Sequence, residues 1–273
     1  MSETVLPAAP APARRRVRLP IALVTTPLLA ALLIGLWQFY VTWSGVSAFI
    51  LPSPLSVWDG FVELLATPST WRHTLATVQA TLSGFLIALV LGVAMGAVLA
   101  KVPWLEQTMN PFIVASQVVP KVALVPLFVV WFGFGMTSKV VIAAVIAFFP
   151  IFTGTLRGVK SVDLGHRDVM TAFNANPWQR AMLLELPSAL PYILVGAEVG
   201  IVLAIIGAVI GEYLGGNLGL GYLLIAKMNA YETDMLFAVI LLLTLVGFLF
   251  YLVTVLLRRA VIPWHESVAG PTR

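Results

Sequence analysis

The sequence predicts an all-α polytopic membrane protein with six transmembrane helices, and three observations carry that expectation. The 273-residue chain is 60% hydrophobic and only 10% charged, too little polar surface to cover a water-exposed globule. Its mean hydropathy is +0.98. Its uncharged runs recur at lengths near the roughly 20 helical residues that a hydrocarbon core about 30 Å thick requires, and they lack the short in-out alternation of a barrel wall.

Residues 1–18 form an Ala/Pro-rich stretch that closes on Arg14, Arg15, Arg16 and Arg18, and it reads as a disordered cytoplasmic tail. The apolar run that follows is too long for a cleaved signal peptide, so residues 19–43 are expected to be an uncleaved first span. Prolines 52, 54 and 68 then mark an outer segment, with a short amphipathic helix near residues 57–65 resting at the interface. The second span, 74–100, carries no charge, and the third, 104–134, only Glu106 and Lys121. Lys121 lies between Pro120 and Pro126, where a kinked helix exposes backbone carbonyls. The fourth span, 140–156, is bracketed by Lys139 and Arg157. The fifth, 187–211, contains Glu198 and ends at Glu212; glycines 215, 216, 219 and 221 follow and must turn or break a helix. The sixth span covers 235–257.

Basic residues of short loops stay on the cytoplasmic side. With the N-terminus inside, that side holds Arg14, Arg15, Arg16, Arg18, Lys101, Arg157, Lys160, Arg167, Arg180, Arg258, Arg259 and Arg273, against Arg72, Lys139 and Lys227 outside. Both termini are therefore expected in the cytoplasm, and the net charge of +4 reads as a topology signal with no nucleic acid as partner. Two stripes of small residues, Ala88, Gly92, Gly96 and Ala100 on the second span and Gly196, Gly200, Ala204 and Ala208 on the fifth, allow close helix approach. They serve either packing within the chain or a seam between subunits.

The chain has no cysteine, and its three histidines are scattered, so no metal site and no cofactor is expected. It has no G-x-x-x-x-G-K-[ST] run to cradle a nucleotide and no local Ser/His/Asp signature, so no catalytic residues are expected and an enzyme is possible only through residues brought together from different spans.

The long polar interruption, residues 157–186, reads as helix, turn, helix on the cytoplasmic side. Asp163 and Asp168 suit helix starts, and Pro177 suits a first helical turn after "NAN". Phe173 and Trp178 flank the turn. They fit either an anchor seated in a partner's pocket or side chains in the headgroup belt.

This stretch resembles the cytoplasmic signature of ABC-importer permeases, E-A-A, three residues, G, nine residues, I-x-L-P. Asp168 stands at the Glu, Val169 and Met170 at the alanines, Asn174 at the Gly and Leu184 at the Ile, while Leu186 and Pro187 match. Asn is one of the few residues besides Gly that tolerates a left-handed turn. "ILPSP", "PKVALVPLFVVWFGFG", "LPSALPYI" and "IGEYL" followed by "GLGYL" are similar to the nitrate, sulfonate and taurine branch, and within it to permeases for pyrimidine precursors of thiamine. The resemblance implies a multi-pass protein of the bacterial inner membrane, paired with a second permease copy, with ABC ATPase subunits beneath and a periplasmic or lipoprotein substrate-binding protein outside. It implies that Asp168, Ala172, Phe173, Asn174, Ala175, Pro177, Trp178, Leu186 and Pro187 couple the chain to the ATPase. From their cost in hydrocarbon, Lys121, Glu198 and Glu212 are the expected pathway charges, with Lys121 and Glu198 either paired or facing substrate and Glu212 a gate or helix-end residue. A small secondary transporter or channel subunit is the alternative, and a membrane-embedded enzyme a third.

Overall fold

The computed structural model describes residues 21–263; the tail expected over residues 1–18 lies outside them. Among the described residues every regular element is helical and no strand occurs. The chain divides into two bodies, residues 1–47 and 48–273. The first holds α1 (Ala22–Ser44), which Gly45 ends in the left-handed conformation at φ +63°, as helix C-termini commonly do. Leu28, Leu32 and Leu36 of α1 are exposed. A long apolar helix whose leucines stand uncovered is built for lipid.

The centre of the second body is α6 (Met136–Lys160), sandwiched between α3 (Pro68–Lys101) and α9 (Leu186–Gly215). Both small-residue stripes settle on α6, so they serve packing within the chain. A Cβ at Gly96 would stand 2.7 Å from that of Thr155, and one at Gly196 would stand 2.6 Å from the Pro150 carbonyl oxygen, so only glycine permits this approach. Ala80, Ala88, Ala143, Ala147, Ala204 and Ala208 complete the seam. In lipid, helices associate by such close packing because apolar burial brings no gain.

The third span is broken. α4 (Pro103–Val118) and the segment Lys121–Phe132 meet at 84°, and Val119 before Pro120 is extended, as a residue preceding proline prefers. A 3₁₀ turn (Lys121–Leu124) leads into α5 (Val125–Phe132), whose Val125 and Val129 pack on Ile142 and Ile146 of α6.

After α6 come α7 (Leu164–Ala172) and α8 (Pro177–Arg180), and a π-helical turn (Ala181–Glu185) joins α8 to α9. The fifth span is thus one rod, Pro177–Gly215. The second helix of the polar interruption is its first turns, not a separate element. α10 (Leu220–Asn229) and α11 (Thr233–Val261) close the fold. The helix expected at the interface is α2 (Pro54–Ala66), started by the Ser53 cap. Its Phe61 and Leu64 pack against Leu220, Met235, Ala238 and Val239, so α10 and α11, rather than headgroups, cover its apolar face.

Candidate functional site

The hairpin between α6 and α9 satisfies its own backbone. α7 starts at Asp163, whose carboxylate accepts from the Gly165 N–H at 2.7 Å. It ends in a Schellman turn: the Asn174 N–H donates to Thr171 and the Ala175 N–H to Met170, each at 2.9 Å, with Asn174 left-handed at φ +51°. Asn176 and Gln179 then form a reciprocal capping box at 2.8 and 2.9 Å, and Pro177 occupies the first turn of α8, where a missing N–H costs nothing. Arg180 Nε closes the turn on the Ala175 carbonyl at 3.0 Å. Phe173 is 81% and Trp178 70% exposed on this rigid tip. Asp168 lies inside α7 rather than at a helix start; Asp163 is the cap. Ion pairs Lys101–Glu185 at 2.6 Å and Lys160–Glu106 at 2.7 Å brace the bundle end that carries the hairpin.

At the far end of α9 the glycine-rich segment wraps a carboxylate. Glu212 is fully buried. Both its oxygens accept from Thr77 Oγ1 at 2.9 Å, and Oε2 also accepts from the Gly221 N–H at 2.9 Å. The neighbouring N–H groups are met as well: Leu220 donates to Thr77 Oγ1 at 2.8 Å and Gly219 to His73 Nδ1 at 3.1 Å. Lys139, also buried, donates to the Leu218 carbonyl. Three successive N–H groups at the start of α10, which a helix leaves without intrahelical partners, are thus capped by side chains of α3 and α9. This clamp encloses Glu212 and leaves it no open face.

The expected pairing of Lys121 with Glu198 is not what the structure holds. Glu198 meets Arg258 of α11 at 2.9 Å, while the Lys121 ammonium sits over the Phe149 ring, 4.5 Å from its centroid. Glu198 projects toward α11, and the break at Pro120 carries Lys121 to α6 instead. A cavity of about 530 Å³ is a groove between α6 and α9 lined by Pro150, Thr153, Arg157, Tyr192 and Val199 among others. None of the three expected pathway charges lines it.

Comparison with known proteins decides the family. Residues 88–264 match the family described as the binding-protein-dependent transport system inner membrane component. The chain belongs to that family. This permease is 40% identical over 241 residues to the riboflavin transport system permease RibX of Chloroflexus aurantiacus, covering 88% of this chain and 90% of the relative. It is 32% identical to the formylaminopyrimidine transport permease ThiX of Halalkalibacterium halodurans, covering 86% and 94%, and 31% identical to the putative aliphatic sulfonates permease SsuC of Bacillus subtilis, covering 89% and 88%. Its fold matches an inward-facing structure of the MetNI methionine ABC transporter with a TM-score of 0.62 at 20% identity, over 69% of this chain and 94% of that one. The permease is a multi-pass protein of the bacterial inner membrane and a subunit of a binding-protein-dependent ABC importer, and its relatives are transport permeases rather than enzymes.

In this permease the groove residues Thr153, Arg157 and Tyr192 were not singled out as pathway groups by sequence reasoning. The available signal was a pair of prolines, Pro150 and Pro191, one on each wall, in spans that otherwise read as uninterrupted. Lys139, counted as an outer cation, is buried because residues 216–219 fold over it.

Proposed function

We propose that this permease forms one half of an ATP-driven import pathway for a small organic solute, and that its hairpin, lying on the cytoplasmic side with both termini, is the lever on which a separate ATPase acts. A second copy of the chain supplies the other half, and a substrate-binding protein delivers solute at the end opposite the hairpin. The observation that carries the reading is the tip itself: its backbone is satisfied internally, yet it presents Phe173 and Trp178 with nothing of the described chain covering them. Large aromatics held rigid at a tip anchor into partner pockets at little entropic cost. Asp168, Ala172, Asn174, Ala175, Pro177, Leu186 and Pro187 shape and root that tip. ATP-driven closure of the ATPase pair would move two hairpins together and rock the walls between inward- and outward-open packings. The names of the relatives support solutes ranging from flavin and pyrimidine to sulfonate. Lys121, a cation over an aromatic ring at a broken span, is the pathway charge this reading retains.

A cysteine at Ala175 should cross-link to the ATPase subunit. Trp178→Ala should weaken that association by about 2 kcal/mol, roughly 30-fold, while the permease still inserts. Uptake should survive collapse of the proton gradient while ATP is maintained. Accumulation in liposomes without ATPase, on an imposed proton or sodium gradient, would make the chain a secondary transporter and overturn the reading.

A further inference from the structure

We propose that the groove between α6 and α9 takes the transported solute, and that it selects a flat, uncharged heterocycle, with Tyr192 as the stacking face and Arg157 donating to a ring carbonyl. The inference rests on the importer reading above. Its first support is position: the groove's two walls are the two helices that the hairpin joins, so any force on the tip changes the groove's width. Its second is shape. Gly154 lies against the Tyr192 carbonyl and Gly196 against that of Pro150, with room for no Cβ at either. The floor is therefore bare main chain, and Pro150 and Pro191 flank it. About 530 Å³ lies within the range of small-molecule sites.

Donor supply sets the chemistry. The Thr153 hydroxyl is spent within its own helix, 2.9 Å from the Phe149 carbonyl. Lys101 and Lys160 at the same end of the bundle are held by carboxylates, whereas Arg157 has no ion pair or side-chain hydrogen bond among the described residues. That leaves one exposed guanidinium and the Tyr192 hydroxyl. A small sulfonate could pair with the guanidinium fork, but it has no flat apolar face for the Tyr192 ring and leaves the apolar floor of the slot unfilled. A planar ring has two apolar faces to bury and a single carbonyl edge to satisfy.

The test uses the full-length chain in lipid nanodiscs and lumiflavin as probe, whose fluorescence is quenched on contact with a tyrosine. Saturable quenching is expected. Tyr192→Phe should keep affinity within about twofold yet lose most of the quenching, Tyr192→Ala should weaken binding about tenfold or more, and Arg157→Gln should weaken it several-fold. Methanesulfonate should not compete. Competition by methanesulfonate overturns the heterocycle assignment and leaves ATP-driven import standing. Absent binding, or binding indifferent to Tyr192 but displaced by longer acyl chains or by a higher density of the chain, gives the groove to lipid or a second copy and overturns the proposal.

Discussion

Gly219→Ala isolates the clamp around Glu212. Gly219 adopts φ +120°, and a Cβ there would stand 2.1 Å from the Glu212 carboxyl carbon. Forcing an L-residue into that region costs on the order of 1–3 kcal/mol. The methyl must also displace the carboxylate from Thr77 and the Gly221 N–H, and each bond to a charged group contributes about 1.5–3 kcal/mol. Part of that loss is recovered by relaxation, so about 4 kcal/mol is the expected destabilisation, at the upper end of single substitutions. The assay is reversible unfolding of the purified permease in mixed micelles as SDS is increased, with Gly35→Ala as control, since nothing lies within 4 Å of a Cβ there. Gly35→Ala should be neutral or stabilise by up to about 1 kcal/mol. In a Glu212→Ala background the added methyl has room, so its cost should fall by about 2 kcal/mol or more. An equal cost in both backgrounds, or a cost under about 1 kcal/mol in the wild type, refutes the clamp.

The Glu198–Arg258 contact should behave as a coupled pair: each single replacement by Ala should destabilise by about 3 kcal/mol through the charge left behind, and reversal of both should restore part of that loss, whereas reversal of Glu198 with Lys121 should restore none. Gly96→Leu should separate α3 from α6, because the first carbon already meets Thr155 and the Phe152 carbonyl at 2.7 and 2.8 Å; a loss of more than about 3 kcal/mol in the same SDS titration is expected, and retention of wild-type stability would mean that α3 packs elsewhere.

The all-helical, multi-span character was legible because lipid imposes a length and forbids unpaired backbone. The hairpin tip was legible for a different reason. Asn174 and Pro177 each fit very few backbone positions, one left-handed and one at a first turn, and their spacing left a single arrangement. Partner choice was not legible. Arg258 and Lys139 stand at span ends and read as loop cations, but each has a long apolar stem that lets its charge reach back along the bundle. Arg258 thereby meets Glu198, and Lys139 meets the Leu218 carbonyl. The remaining clamp groups are backbone N–H groups, a threonine hydroxyl and the His73 ring nitrogen, which carry no pattern in sequence.

On the proposed reading, the clamp and the hairpin divide the labour along one helix. The rod Pro177–Gly215 begins at the hairpin tip and ends within the clamp, where α3, α6 and α9 hold residues 218–221 through side chains. A helix pinned at one end and pushed at the other moves most near the pushed end. Tyr192 and Val195 lie near that end, on the α9 wall of the groove, whereas Glu212 lies at the pinned end. On the proposed importer reading, the buried carboxylate is the fixed point of the rod, and the groove, with its thin backbone floor and unpaired guanidinium, sits on the stretch that a push at the hairpin would displace.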